Sequence, residues 1–281
     1  MRLSAMTFSL CLAALPSAVF AQEIGDYDDW GDDEPGKFSV TALVAVTNST
    51  VVLTESEVTL PDDFDGADIE VGLAEEVKVS NTIVGLNVGY RVLPFLNVSV
   101  QGGLIETSSE LGVTIEGTPA DTFPIDFGGP ISLATDVSTE ASGYSFGAGA
   151  TGFLPVATIG DDLLLGYASY QHVWNEFDDD GISVDIGRLS AGLVYPVNPM
   201  GDSKPVFRLG AAYINSTRTL ERGLEFGGDQ ISVLATQETE DPWFGEFGVS
   251  YPASRNVLLN FSSTVQTTGD VSVIASITFT P

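Results

Sequence analysis

The only histidine of the chain, His172, is the first residue whose side chain could do acid–base chemistry. It lies in the segment Tyr170-Gln171-His172-Val173-Trp174. A histidine that activates a serine or a water molecule needs an acidic or hydroxyl partner within hydrogen-bond reach. Local residues supply no such partner, because Tyr170 and Trp174 stand two positions before and after His172. Only a distant Asp or Ser brought close by the fold would complete a catalytic site. The sequence therefore predicts no catalytic site here, and a histidine that lies among aromatic side chains at an interface.

Two clusters of carboxylates could offer oxygen ligands to a calcium ion. The first is Asp63-Phe64-Asp65-Gly66-Ala67-Asp68, and the second is Asp178-Asp179-Asp180-Gly181. Neither continues into a full EF-hand loop, which closes with a bidentate glutamate. Solvated loop charge explains both clusters, and a divalent cation or another extracellular ligand is the functional alternative. We predict no cofactor and no dedicated metal site.

Four charged residues stand inside alternating apolar segments, in the phase opposite to their apolar neighbours. They are Arg91, Arg188, Arg208 and Glu246. A charge in a narrow interior is costly unless it is hydrated or paired. We therefore predict a network of interior ion pairs in which Glu246 bonds to Arg208, Arg188 or both. The functional alternative is a constriction that selects solutes by charge.

The segments that carry these residues alternate with a period of two, which is the period of β-strands. Ten such segments are found, each close to the length of about ten residues that a tilted strand needs to cross a bilayer. They are 37–49, 81–92, 95–104, 142–153, 162–173, 183–195, 205–216, 243–251, 256–266 and 270–280. The pattern predicts a closed antiparallel up-and-down β-barrel of about ten strands, with eight or twelve as alternatives.

Aromatic residues mark one end of the strands, and most are followed within a few residues by a proline that ends the strand. The predicted aromatic girdle is Phe38, Tyr90, Phe95, Phe153, Tyr195, Phe207, Tyr251 and Phe279. Aromatic rings prefer the membrane–water interface. Connections at this end are short, whereas those at the other end include predicted long loops at 50–80, 105–141 and 217–242. This asymmetry is typical of membrane barrels and has no reason to exist in a soluble barrel.

The composition combines strong negative charge with many apolar residues. The net charge is −29, 43% of residues are hydrophobic, and the mean hydropathy is +0.20. No cationic surface is available to meet phosphates, which excludes nucleic acid as a partner. A disordered acidic chain would be poor in apolar residues, so acid and apolar residues must be segregated. The acids are concentrated in the predicted loops, with nine in 50–80, seven in 105–141 and six in 217–242.

The N-terminus divides the chain into three predicted parts. Residues 1–21 have the basic start, apolar centre and small final residues of a secretory signal peptide. The only cysteine, Cys11, lies in it. Residues 22–36 are an acidic periplasmic leader, and residues 37–281 are the barrel domain. The mature chain is therefore expected to have neither a disulfide nor a thiolate metal site.

The barrel domain resembles the small outer-membrane barrels of the OmpA-like and opacity-porin type. The resemblance is carried by Tyr90…Pro94, Tyr195-Pro196, Tyr251-Pro252 and the final Ile277-Thr278-Phe279-Thr280-Pro281. It implies the outer membrane of a Gram-negative bacterium, extracellular long loops, and membrane lipid and the barrel-assembly machinery as partners. The implied function is structural or surface interaction through the acidic loops. A narrow passive channel for small solutes is the alternative, and an enzyme is less favoured.

Overall fold

The computed structural model describes residues 38–59, 68–74, 76–118, 131–160, 162–178, 181–197, 205–226, 229–254, 256–267 and 269–281. The predicted signal peptide and leader lie outside these residues, as do most of the first acidic cluster and Asp179 and Asp180 of the second. Within these ranges, no helix is long and apolar enough to cross a membrane.

Every strand pairs antiparallel to its neighbours in one closed sheet. The strands are β1 (Phe38–Thr59), β2 (Asp68–Leu73), β3 (Glu76–Leu93), β4 (Leu96–Thr118), β5 (Ile131–Ile159), β6 (Asp162–Phe177), β7 (Ile182–Pro196), β8 (Val206–Phe226), β9 (Asp229–Thr239), β10 (Trp243–Ser254), β11 (Val257–Gln266) and β12 (Val271–Phe279). Ten of them form the barrel, which closes through the β1–β12 and β8–β10 pairings. The predicted fold class is confirmed, with ten strands rather than eight or twelve.

The prediction of long loops at 50–80, 105–141 and 217–242 is wrong, because most of their described residues are strand. β1, β4, β5 and β8 run 22, 23, 29 and 21 residues, far beyond the thickness of a bilayer. The alternation continues there, but the outward positions change from apolar to polar residues. Val77 and Val79, for example, are buried, whereas Lys78 between them is exposed. The apolar alternation that identifies membrane-spanning strands in the sequence therefore ends where the outward positions become polar, although the strands themselves continue.

Strand β9 changes the width of the barrel above its middle. It pairs with the upper part of β8 through Arg218↔Gln237 and with the upper part of β1 through Leu53↔Gln237. It therefore lies above the three short strands β10–β12 and takes their place in the wall. The ring of ten strands becomes a ring of eight, made by β1, β3–β8 and β9. Side chains just fill the interior of a barrel of about eight strands.

Two of the predicted strand-ending prolines lie inside strands instead. Pro155 belongs to β5 and Pro252 to β10, and the pairing register shifts directly after each of them. The residue after each proline, Val156 or Ala253, has no register partner, so each proline stands next to a β-bulge, where proline is tolerated inside a sheet. The prediction that proline ends the strand is wrong at these two positions. Pro94 and Pro196 do stand at strand ends.

Candidate functional site

The outer surface of the ten-stranded part is an apolar band. Its outward side chains include Leu209, which is 67% exposed, and Leu104, which is 60% exposed. Exposed apolar surface of this extent marks contact with a membrane or a partner. Aromatic residues lie at both edges of the band. At the lower edge, the ring centroids of Phe38 and Tyr90 are 4.7 Å apart. At the upper edge, the ring centroids of Tyr213 and Trp243 are 5.3 Å apart. This surface fits the hydrocarbon layer of a bilayer and its two interfaces.

Seven of the eight predicted girdle residues lie on this outer face. Tyr195 is partly exposed. The six that are exposed are Phe38, Tyr90, Phe95, Phe207, Tyr251 and Phe279. The assignment of Phe153 is wrong, because its side chain is inside the barrel and only 2% exposed. Phe153 shares the inward phase of Thr151, and Leu154 is the residue of β5 that faces outward here. The upper aromatic row includes Tyr144 and Trp174.

The upper interior of the barrel contains a packed apolar core. At the height of the upper aromatic row, eight of the ten strands contribute buried apolar side chains to one layer. The layer is Leu43, Ala45, Ile83, Ile105, Val173, Ile186, Ala212, Ile214, Phe244 and Ile274. Cross-strand pairs join its members around the wall, as Ile274↔Ala45, Ala45↔Ile83 and Ile83↔Ile105 show. We call these ten residues the apolar layer.

A charge cluster lies directly below the apolar layer, on β7, β8 and β10. Arg188 donates from Nη2 to Glu246 Oε2 at 2.5 Å, and Arg208 Nε is 2.7 Å from Glu246 Oε1. The side chains are 4%, 5% and 1% exposed for Arg188, Arg208 and Glu246, respectively. One carboxylate therefore bridges two guanidinium groups in a site without bulk solvent. The guanidinium of Arg208 also lies over the ring of Tyr167, 5.8 Å from its centroid.

Arg91, the fourth residue of the predicted network, is placed elsewhere. It is buried on β3, which stands five strands from β8 and thus on the opposite wall. The structure therefore brings three of the four predicted residues together in the cluster. The alternation of each strand gave the same inward direction for all four. Which wall each one occupies depends on strand order and tilt, which alternation does not report.

Uncharged polar residues complete the layer that holds the charge cluster. Gln171 donates to Gln101 Oε1 at 2.7 Å, and the hydroxyl groups of Ser169 and Ser190 are 2.7 Å apart. On the opposite side, Asn260 donates to the hydroxyl groups of Ser276 and Thr278, each at 3.2 Å. These residues were not singled out in the sequence, although their inward phase was visible there. They surround the cluster with hydrogen-bonding groups and make the middle of the interior polar.

His172 lies on the outer face of β6, and its ring centroid is 4.5 Å from that of Trp174. Its cross-strand neighbours are Ala148 and Gly187, which offer no side-chain acid or hydroxyl group. Among the described residues, no group of three or more His, Cys, Asp or Glu side chains could hold a metal ion. The second acidic cluster is described only at Asp178 and Gly181.

Comparisons with known proteins find similarity only at the level of structure. No protein-family model matches the chain, and no curated protein matches it. The transport unit of the autotransporter AIDA-I from Escherichia coli is 11% identical, with 88% of this chain and 90% of that chain covered and a TM-score of 0.36. The toluene transporter TbuX of Ralstonia pickettii is 11% identical, with the same coverage and a TM-score of 0.31. The toluene transporter TodX of Pseudomonas putida is 10% identical, with 88% and 89% covered and a TM-score of 0.32. At these scores the likeness carries no conclusion about function, which is inferred below from this chain's own residues.

Proposed function

We propose that the protein is an integral barrel of a Gram-negative outer membrane whose upper part is a rigid surface module for contacts outside the cell. The observation that supports this proposal most strongly is that the strands continue far above the apolar band. β5 has 29 residues, whereas a crossing needs about ten. Membrane lipid surrounds the band, and insertion would use the barrel-assembly machinery that such barrels share.

The upper part has a core of its own, which is why it is a module rather than a set of loops. Val51, Val77, Phe177, Leu220 and Val233 are buried inside it and pack in the same cluster as the apolar layer. Its outer positions are acidic and exposed. They include Glu55, Glu57, Glu76, Glu110, Glu140, Glu221 and Glu238. A fixed acidic surface attracts cationic ligands, so a basic protein segment or divalent cations are the partners that its charge favours.

A narrow passive channel is the second candidate. The polar middle of the interior supports it, since buried atoms such as both side-chain polar atoms of Asn87 lack a partner in the described part of the chain and would be met by water. The apolar layer above argues against through-flow, because hydrophobic constrictions exclude water and ions. We therefore favour a closed barrel. The outward His172 beside Trp174 likewise favours a role without catalysis.

Labelling of single cysteines in intact cells tests the proposed placement. Cys11 is the only cysteine and lies in the predicted signal peptide, so an introduced cysteine is unique in the mature chain. Asp178→Cys lies at the end of β6, and Thr158→Cys lies at the opposite end of β5; both positions are exposed. A membrane-impermeant maleimide should label Asp178→Cys in intact cells. It should label Thr158→Cys only after the outer membrane is permeabilised.

The two variants control for each other, because each reports the reactivity of an exposed strand end in the same barrel. Equal labelling of both in intact cells would show that the reagent enters the periplasm. Labelling of Thr158→Cys alone would reverse the proposed orientation. Labelling of neither variant after permeabilisation, with the protein present in the membrane fraction, would contradict the exposure of both ends.

A further inference from the structure

Two cavities lie one above the other on the same outer wall of the barrel. The lower cavity, of about 1010 Å³, is almost wholly apolar and crosses β10, β11, β12, β1, β3 and β4. The upper cavity, of about 450 Å³, is polar and crosses β1, β3, β4 and β5 next to Asp270. We call them the apolar groove and the polar groove. An apolar site continued by a polar one matches the shape of a lipid molecule.

The apolar groove owes its depth to small residues at its centre. Ala42 and Ala275 form its floor, between Leu86 and Leu104 on one side and Phe261 on the other. Behind it, β3 and β4 approach so closely that a Cβ atom added to Gly103 would lie 2.6 Å from the carbonyl oxygen of Val84. The wall can follow this course because glycine stands there. The groove faces the hydrocarbon layer, where acyl chains fill such space.

The polar groove brings one ammonium group together with three carboxylates. Lys78 faces Glu110 across the β3–β4 pair, and Ser108 beside Glu110 in the groove pairs with Glu140 across the β4–β5 pair. Asp270 is already engaged, because it accepts hydrogen bonds from the backbone N–H of Thr50 at 2.6 Å and from the hydroxyl of Thr50 at 3.2 Å. Lys78, Glu110 and Glu140 are exposed. Their charged groups are therefore accessible to a ligand.

The two grooves are in register along the strands. On β1 the apolar groove is lined at Ala42–Val44 and the polar groove at Asn48–Thr50, which are roughly 20 Å apart at about 3.3 Å per residue. Val46 and Thr82 lie outward between them, at the height of the upper aromatic row. The polar groove is thus at the level of lipid headgroups when the apolar band is in the hydrocarbon layer. One molecule with acyl chains and a compact headgroup can occupy both grooves.

We propose that this wall binds one lipid whose headgroup carries a phosphate and an amine, of the phosphoethanolamine type. Its acyl chains occupy the apolar groove, its phosphate pairs with Lys78, and its ammonium group pairs with Glu110 and Glu140. A phosphate without an amine would meet more negative than positive charge, whereas a zwitterionic headgroup satisfies both signs. This inference rests on the membrane position proposed above and adds a lipid site to it.

Native mass spectrometry of the folded protein in detergent tests the site, with dilauroyl phosphatidylethanolamine as the probe and dilauroyl phosphatidylglycerol as the comparator. We expect retention of one ethanolamine lipid in preference to the glycerol lipid. Lys78→Gln should weaken this binding about tenfold, because one charge-assisted bond is lost, and Lys78→Arg should keep it. Ala275→Leu should also weaken it by filling the groove. Ala191→Leu adds the same bulk to an exposed position on β7, outside the groove, and should have no effect.

Three results would overturn the proposal. One is equal retention of both lipids, and another is unchanged binding in Lys78→Gln. The third is binding of the glycerol lipid that depends on magnesium and is lost with a chelator, since carboxylates would then act through a bridging cation. A heat-dependent gel shift confirms that each variant is a folded barrel. Failure of lipid binding in a folded protein that passes the cysteine-labelling test would leave the proposed function standing.

Discussion

Replacing Glu246 by glutamine is expected to lower the free energy of unfolding by about 3–5 kcal/mol, the range for breaking a buried ion pair by removing one partner. The carboxylate of Glu246 is within 2.7 Å of Arg208 and 2.5 Å of Arg188. Its loss removes the negative charge that both guanidinium groups contact and leaves these two buried cations side by side. Water can compensate only in part, because the side chains of Arg188, Arg208 and Glu246 are at most 5% exposed.

Substitutions of Arg208 and Glu246 should differ in cost in a way that a general packing defect would not produce. Arg208→Met leaves Arg188 and Glu246 as a neutral pair, so it should cost less than Glu246→Gln. Adding Arg208→Met to Glu246→Gln should recover part of the stability, because the repulsion between the two guanidinium groups is removed. Urea unfolding in detergent micelles measures all three variants, and a double-mutant cycle gives the coupling. Additive effects, or a cost for Arg208→Met above that for Glu246→Gln, would contradict this account.

Truncation of Phe244 to alanine is the second large effect, with an expected cost of about 3–5 kcal/mol. Phe244 belongs to the apolar layer and is 6% exposed. Its neighbours across the barrel are held by the wall and cannot close the space that the ring leaves. The decrease in the free energy of unfolding therefore has two contributions. One is the lost free energy of transferring the side chain out of water, and the other is the cavity that remains.

Phe247 provides a matched control for this substitution on the same strand. It faces outward, is 44% exposed, and contacts lipid in the proposed membrane position. Phe247→Ala should cost only the transfer contribution, about 1.5–3 kcal/mol, because lipid fills the vacated space. The difference in unfolding free energy between the two variants, measured by urea unfolding in lipid bilayers, gives the contribution of the cavity. Equal costs would show that the interior at Phe244 is not packed.

Local alternation was sufficient to predict the fold and the direction of interior charges. The apolar phase of Phe247 and Tyr251 predicted that Glu246 points inward, and that of Phe207 and Leu209 predicted the same for Arg208. Neighbouring strands in an up-and-down barrel then bring Arg208 and Glu246 together. Arg91 shows the limit of this reasoning, because its strand carries the same signal but stands on the opposite wall.

The upper part of the barrel could not be predicted in the same way, because its order depends on pairings between distant segments. β9 pairs with β1, which precedes it by about 180 residues, through Val51↔Thr239 and Val58↔Val233. Of its described outward residues, Ser232, Thr236 and Glu238 are polar and Leu234 is apolar, so the apolar alternation of a membrane strand is weak there. Phe153 was assigned to the wrong face because an aromatic residue before a proline was given more weight than the phase of its own strand. The lipid site depends on seven strands and has no local motif.

The claim that the barrel is closed by its apolar layer is tested most directly by conductance in a planar bilayer. The folded wild-type protein should give no stepwise current across a range of potentials and salts. Insertion must be verified in the same membranes with labelled Asp178→Cys protein, so that an absence of current cannot be caused by an absence of inserted protein. Stable unitary currents from the inserted wild-type protein would contradict the account and would establish the narrow channel in its place.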